Sequence, residues 1–170
     1  MIDRPEPNEY AEYYHAYISK VPDGDIVEIL NTQNENTLHI LHAISVQKAE
    51  YRYAPGKWSI KEMIGHLVDA ERVFAYRALC FARNDPGPFP SMEQDDYVEY
   101  GHFGARMLTD IAEEFRLVRQ SNIRLFKSFD EKISVRKGIA SGFEFTVRAL
   151  LYIIAGHELH HVWILQERYL

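Results

Sequence analysis

Cysteine and long apolar runs are scarce in this chain, and both shortages limit what it can be. Its 170 residues include one cysteine, Cys80, so no disulfide can form within the chain. Low cysteine use favours a reducing cytoplasm, and we read Cys80 as a small buried apolar residue. No stretch approaches the roughly 20 apolar residues that a membrane-spanning helix needs. The first ten residues carry charges and prolines rather than an apolar run, which argues against a secretory signal.

Excess basic charge is also lacking. The 19 lysines and arginines are outnumbered by 25 acidic residues, and the formal net charge is −6. A nucleic-acid-binding protein usually presents a concentrated basic stripe, so this composition disfavours nucleic acid as a partner. Apolar residues make up 46% and charged residues 26%, as in ordinary globular proteins. The length predicts one domain over residues 1–170.

Capping signals and apolar spacings of three and four residues predict an all-α protein. Asp25 with Glu28, and Ser59 with Glu62, have the spacing of capping boxes at helix starts. The predicted long helices cover residues 25–45, 59–83, 106–127 and 145–168, after a short helix within residues 8–22, and the first of the four frays over residues 45–49. Four helices of about 20 residues predict a four-helix bundle with a short N-terminal helix.

Two segments lie outside this helical pattern. Residues 84–90 hold three prolines and a glycine, and we predict a loop over residues 84–104. Such a long connection often meets ligands, so we expect it to border the site described next through Phe89, Asp95, Asp96, Tyr97, Tyr100 and Phe103. Residues 130–142 give no clear pattern, with a short extended stretch expected at residues 133–135.

The histidines are the most informative residues. His157 and His161 are four residues apart and share a helix face with the apolar Leu150 and Ile154. Burying two imidazoles without partners is costly, whereas a metal ion satisfies both. His66, on another predicted helix, is the candidate third ligand. Gly65 and Gly156 each precede one of these histidines, which indicates a place where helices approach closely or leave space.

Other interpretations of these residues remain open. His66 can be an ordinary hydrogen-bonded core histidine. Residues 157–161 also fit the H-E-x-x-H pattern of zinc peptidases, in which Glu158 would be the general base. A helix turns Glu158 about 100° from His157, so we expect Glu158 to point away from the ligands. Asp69 either orients His66 or pairs with Arg72, and we favour the ion pair.

The remaining histidines are expected to contribute less. His160 should lie beside the site or at the surface. The other four histidines, which we interpret as structural or exposed, are His15, His39, His42 and His102.

Three stretches of the sequence are distinctive: K-W-S-I-K-E at residues 57–62, G-H-L-V-D-A-E-R at residues 65–72 and G-H-E-L-H-H at residues 156–161. Together they resemble the DinB/YfiT-like family. The resemblance extends over most of the chain, from about residue 25 to residue 170. It implies a four-helix bundle with a three-histidine site for zinc, nickel or a similar ion. The family's three histidines fall on His66, His157 and His161. Relatives include thiol-dependent S-transferases, a thiol-dependent isomerase and metal-dependent hydrolases.

Three ligands leave coordination positions open, which is typical of catalytic metal sites. We therefore expect an enzyme that activates a small thiol or a water molecule on a small-molecule substrate, and the resemblance favours the thiol. The alternative is a non-enzymatic module that binds a metal or a ligand. An open pocket beside the histidines would favour the enzyme, and a closed four-coordinate site the module. A homodimer is compatible with either interpretation.

Overall fold

The computed structural model describes residues 2–170, and eight α-helices account for most of them. In chain order the helices are α1 (His15–Ile18), α2 (Ile26–His42), α3 (Val46–Ala49), α4 (Ile60–Ala82), α5 (Gln94–Gly101), α6 (Leu108–Phe126), α7 (Glu131–Ser134) and α8 (Val147–Ile164). Strands β1 (Lys137–Ala140) and β2 (Phe143–Thr146) lie between α7 and α8. Short 3₁₀ turns cover Pro7–Glu9, Glu12–Tyr14 and Phe103–Ala105, and a π-helical turn, Leu165–Tyr169, follows α8.

The four long helices α2, α4, α6 and α8 form a bundle. Helix α4 packs against α6 and α8, and α2 packs against the same two helices, so α2 and α4 occupy opposite corners. Helix α1 lies against α8. The predicted four-helix bundle is confirmed. Among residues 2–170, no helix combines the length and the apolar character that crossing a bilayer requires.

The helix starts follow the capping signals with one exception. Before α4, the Ser59 hydroxyl accepts a hydrogen bond from the Glu62 amide at 3.3 Å, and the Glu62 carboxylate accepts one from the Ser59 amide at 2.6 Å. This capping box is confirmed. Before α2, Asp25 accepts bonds from the amides of Val27 and Glu28, but the Glu28 carboxylate lies 3.5 Å from Lys127 Nζ instead. The predicted reciprocal box is wrong there, and Asp25 acts as a simple N-cap.

Several short elements differ from the sequence prediction. The expected N-terminal helix is divided into two 3₁₀ turns and the four-residue α1. The segment expected to fray after α2 is the separate helix α3, which is capped by Ser45. Residues 84–104 are not a continuous loop, since they contain α5 and a 3₁₀ turn. Within residues 130–142, the expected extended stretch is wrong because Asp130 caps α7 by accepting from the Ile133 amide at 2.8 Å.

A β-hairpin follows α7, where the sequence predicted none. Strands β1 and β2 are antiparallel, with Lys137 opposite Thr146 and Ala140 opposite Phe143. Ser141 and Gly142 connect them with φ angles of 52° and 80°. Positive φ at both central residues characterises the tight two-residue turns that suit hairpin twist. Thr146 at the end of β2 also caps α8, so the hairpin fixes where that helix begins.

A buried polar layer crosses the middle of the bundle and separates two apolar clusters. One cluster contains Leu30, Phe126 and Leu150, and the other contains Leu41 and Phe115. The polar layer consists of Gln33, Asn34, Thr37, Glu71, Arg119 and Glu158, all buried. Each of the four long helices therefore changes from one apolar cluster to the other at this level. His66 and His157 lie within a few residues of the layer on α4 and α8.

Two glycines explain how chain segments approach the histidines closely. A Cβ atom on Gly65 would lie 2.3 Å from the Phe103 ring, and one on Gly156 would lie 2.2 Å from the Tyr17 carbonyl oxygen. The predicted close approach of helices is confirmed at Gly156, whereas Gly65 leaves space that the Phe103 side chain fills. Phe103 is buried in the space above Gly65, and α1 rests on the backbone of α8 at Gly156.

Replacing Gly156 with alanine should destabilise the protein by about 1–3 kcal/mol, the usual cost of overpacking. The added methyl would meet backbone atoms of Tyr17, which cannot rotate away. Gly104→Ala is the matched control, because a Cβ atom there has nothing within 4 Å. Urea unfolding of both variants is the measurement. Equal stability of Gly156→Ala and Gly104→Ala would contradict the close packing of α1 on α8.

Candidate metal centre

Three imidazoles from two neighbouring helices converge beside the polar layer. His66 on α4 is 3% exposed and His157 on α8 is 9% exposed, while His161 lies one turn further along α8. The His157 Nε2 atom lies 3.2 Å from His66 Nε2 and 3.1 Å from His161 Nε2. One ring nitrogen from each of the three histidines lies within 4.8 Å of the other two. The structure thus brings together all three residues that the sequence singled out.

Hydrogen bonds alone do not account for this arrangement. A neutral imidazole nitrogen carries either one proton or one lone pair, so His157 Nε2 can satisfy only one of its two neighbours. The Nδ1 atoms of His66 and His161 are buried and have no hydrogen-bond partner among residues 2–170. Around a tetrahedral ion with metal–nitrogen bonds of 2.0–2.1 Å, ligand nitrogens would be about 3.3 Å apart. The Nε2 separations are close to that value, so the donor set and its geometry fit a divalent metal.

Burial keeps the three rings neutral, which is the form that can bind a metal. Desolvation lowers the pKa of His66 to about 4 and that of His161 to about 3. It also lowers the pKa of His157 well below its usual value, and the neighbouring imidazoles add to the effect. At pH 7 each ring therefore has a nitrogen lone pair available.

Aromatic side chains surround the three rings. The Trp58 ring lies 4.9 Å from the His66 ring, centroid to centroid. On the other side, the centroids of Tyr17 and Phe74 lie 5.5 Å and 6.1 Å from that of His157. These rings limit the freedom of the imidazoles and exclude water from part of the site. The sequence reasoning missed this wall, although the density of tyrosines at residues 10–17 is a signal that could have indicated it.

Two cavities adjoin the histidines, and each touches different members of the cluster. The tryptophan cavity has a volume of about 340 Å³ and touches His161. It is named for Trp58, and its other lining residues include Tyr53, Lys57, Asp95 and Tyr169. The tyrosine cavity has a volume of about 330 Å³ and touches His66 and His157. It is named for Tyr13, Tyr14 and Tyr17, and its other lining residues include Phe74, Arg77, Glu93 and Ser141. Gln94 lines both cavities.

The segment at residues 84–104 contributes to the site only in part. Of the six side chains expected at the site, Asp95 alone lines either of these cavities. Phe89 and Tyr97 line a separate cavity, and Phe103 fills the space beside Gly65. Asp96 and Tyr100 are exposed and line neither cavity. The segment therefore borders the cavities as expected, through residues 91–95, and Asp95 is the one of the six named side chains that lines them.

Asp69 pairs with arginine rather than with a histidine. Its carboxylate lies 3.6 Å from Arg72 Nη1, which confirms the ion pair that we favoured. Because His66 Nδ1 has no hydrogen-bond partner among residues 2–170, Asp69 does not orient that ring.

Glu158 belongs to the polar layer and not to the histidine cluster. It is 2% exposed, accepts a hydrogen bond from the Thr37 hydroxyl at 2.6 Å and lies 2.8 Å from Arg119 Nη1. The prediction that Glu158 points away from the ligand face is confirmed. A general base must reach the substrate, and a carboxylate enclosed by Arg119 and Thr37 cannot do so. Glu158 therefore cannot be the general base that the peptidase interpretation requires.

The other histidines lie outside the cluster, as expected. His160 is half-buried and packs on Tyr17, with ring centroids 5.2 Å apart. His15 is exposed and shares a hydrogen bond of 3.1 Å with the Tyr10 hydroxyl. His39, His42 and His102 are exposed.

Comparison with known proteins agrees with this fold. The family model described as the DinB superfamily matches residues 29–165. Among solved structures, YfiT from Bacillus subtilis is similar with a TM-score of 0.70 and 12% sequence identity, over 98% of this chain and 91% of that one. That protein is described as a probable metal-dependent hydrolase with an unusual four-helix bundle topology. No curated protein has a significantly similar sequence. The family match spans most of the chain, and the chain belongs to the DinB superfamily.

Proposed function

We propose that this protein is a metal-dependent enzyme acting on small molecules, with His66, His157 and His161 as ligands of one divalent ion. The observation that carries the proposal is the convergence of three imidazoles, in which the Nε2 atoms of His66 and His161 lie 3.2 Å and 3.1 Å from His157 Nε2. Zinc and nickel are the expected metals, since both accept imidazole nitrogen. When bound, such an ion supplies Lewis acidity that lowers the pKa of a coordinated thiol or water.

Protein side chains would define where the reactants approach. His66 and His157 form part of the wall of the tyrosine cavity, and His161 forms part of the wall of the tryptophan cavity. Two molecules could therefore reach the histidine cluster, one through each cavity. The aromatic walls would hold their apolar parts and exclude bulk water, which strengthens electrostatic interactions in the site.

The two cavities favour transfer between two bound molecules, and thiol transfer is our first choice. A thiol in one cavity would meet an electrophile in the other, whereas hydrolysis requires one substrate pocket and a water molecule. Hydrolysis is the second candidate, supported by the description of YfiT as a probable metal-dependent hydrolase. A non-enzymatic binding module is less well supported, because cavities of about 340 Å³ and 330 Å³ adjoin the histidines.

The direct test combines metal analysis with a substrate screen. We expect about one zinc or nickel ion per chain, and turnover in a screen that pairs small thiols with electrophiles and includes simple esters and amides. His161→Ala should abolish that turnover while the fold is retained, since the apolar clusters do not include this side chain. A protein that binds no metal, or a His161→Ala variant with full activity, would refute the proposal.

Glu158→Gln should keep its metal and most of its activity but lose stability. The amide can still bond to Thr37, but it removes one of the two carboxylates that neutralise Arg119. The expected cost is about 1–3 kcal/mol, typical of a hydrogen bond to a charged group. Metal content, turnover and urea unfolding are the three measurements. A stable, metal-loaded variant without turnover would instead support the peptidase-like mechanism with Glu158 as base.

A further inference from the structure

Arg77 is a buried arginine in the wall of the tyrosine cavity. It lies on α4 and is 4% exposed. Its Nη2 atom donates to the Pro90 carbonyl oxygen at 2.6 Å and to the Ser141 hydroxyl at 3.3 Å. Guanidinium groups carry five N–H donors, so one on Nε and two on Nη1 remain. These donors have no hydrogen-bond partner among residues 2–170, and Arg77 lines the cavity together with His66 and His157.

The charge of Arg77 is also unmatched. Among residues 2–170, no carboxylate lies within ion-pairing distance of its guanidinium, whereas Arg119 pairs with Glu71 and Glu158. Carboxylates raise the pKa of Arg119 and Arg148, but burial lowers the pKa of Arg77. Burying a charge without a counter-ion is costly. The Phe74 ring, 5.8 Å from the guanidinium carbon, offsets only part of that cost.

A structural role explains only some of these features. The bonds to Pro90 and Ser141 hold the 84–93 connection and the hairpin turn against α4. Neutral donors such as glutamine would serve that purpose without a buried charge. Arg77 also lines a neighbouring cavity with Tyr76, Phe89 and Tyr97, but that cavity contains none of the three histidines. Exposed Glu93 is the other formally charged residue that lines the tyrosine cavity.

The spacing of Arg77 and His66 sets the length of a ligand that could reach both. Eleven residues are just over three helical turns, so both side chains leave α4 on the same face about 16 Å apart along its axis. The Phe74 ring is close to both ends, with its centroid 5.8 Å from the Arg77 guanidinium carbon and 6.1 Å from the centroid of the His157 ring. The distance from the guanidinium to the histidines is therefore on the order of 10 Å.

We infer that Arg77 binds the anionic headgroup of an elongated small-molecule substrate, a carboxylate or phosphate, whose reactive end lies about 10 Å away at the three histidines. The inference rests on the proposed function, because it takes the histidines as the reacting end. The Ser141 hydroxyl, which also lines the cavity, is a second donor for the headgroup. The aromatic wall of Tyr14, Tyr17 and Phe74 packs against the chain between the two ends.

The test compares a carboxylate probe with its uncharged amide analogue. The probe 8-mercaptooctanoate places a thiol, a good ligand for zinc or nickel, about 10 Å from a carboxylate, and 8-mercaptooctanamide lacks only the charge. Calorimetry with the metal-loaded protein should show the carboxylate binding about ten- to hundred-fold more tightly than the amide, as for a charge-assisted contact. In Arg77→Gln this preference should disappear while the affinity for the amide and the metal content stay unchanged.

Two further variants separate Arg77 from general effects of charge and folding. Arg83→Gln removes a positive charge from an exposed residue at the end of the same helix, and it should keep the full preference. Arg77→Lys keeps the positive charge and should retain part of the preference for the carboxylate probe. A wild-type protein without preference, or an Arg77→Gln variant that retains it, would overturn the inference. If the protein takes up no metal, the proposed function fails, and octanoate against octanamide then tests Arg77 independently with the same variants.

Discussion

His157→Ala should lose metal affinity by more than the ten- to hundred-fold that removal of a supporting group typically costs. His157 is the central member of the cluster, because its Nε2 atom lies within 3.2 Å of both His66 Nε2 and His161 Nε2. Removing this ring leaves only two imidazoles, His66 and His161, whose ring centroids lie 5.1 Å apart. Titration with zinc and nickel, followed by elemental analysis after gel filtration, measures the loss.

His160→Ala is the matched control for this experiment. It removes an imidazole from the same turn of α8, but His160 packs on Tyr17 outside the cluster. Its metal affinity should stay within a few-fold of the wild type. Undiminished metal uptake by His157→Ala, or equal losses in both variants, would show that the three-histidine assignment is wrong.

Arg119→Met should destabilise the protein by about 3–5 kcal/mol, the usual cost of removing one partner from a buried ion pair. Arg119 is 1% exposed, donates to both Glu71 oxygens at 2.8 Å and lies 2.8 Å from Glu158. It also donates to the Leu30 carbonyl oxygen at 3.0 Å. Methionine fills similar space but leaves two carboxylates buried without a counter-ion. For a chain of this size, the melting temperature should fall by roughly 6–20 °C.

Arg116→Met serves as the comparison for Arg119→Met. Arg116 lies one turn earlier on α6 and pairs with the exposed Glu113 at 2.5 Å. Surface pairs contribute at most about 1 kcal/mol. Adding Glu71→Gln to Arg119→Met should restore part of the lost stability, because it removes one of the two buried carboxylates that lack a counter-ion. Similar melting temperatures for the two arginine variants would contradict the buried network.

Local sequence signals predicted the long helices, and together with the family resemblance they predicted the histidine cluster. The Ser59–Glu62 box fixes the start of α4, and the four-residue spacing of His157 and His161 sets their common face on α8. Because Glu158 directly follows His157 in the sequence, helix geometry also predicted that it points away from the ligands. It could not identify Arg119 as the partner of Glu158, because that contact joins residues on different helices.

The elements that the sequence did not predict depend on contacts between distant residues. Strand β1 passes Phe81 so closely at Gly138 that an added Cβ would lie 2.1 Å from the ring. Nothing within residues 130–146 encodes that contact. The Ser141-Gly142 pair was a usable hairpin signal, although serine is not a typical residue for positive φ. Helix α5 is likewise short and mostly exposed, so neither apolar periodicity nor a capping residue marks it.

The division between long helices and connections around the histidines has an evolutionary consequence. All three imidazoles project from α4 and α8, which are fixed by the bundle, whereas part of each cavity wall comes from residues 53–58 and 91–95. Connections tolerate insertions, deletions and substitutions better than packed helices do. Homologous proteins can therefore diverge in what their cavities bind by exchanging these two segments while the three histidines are retained. Transplanting the segments between such proteins is accordingly a route to new specificity.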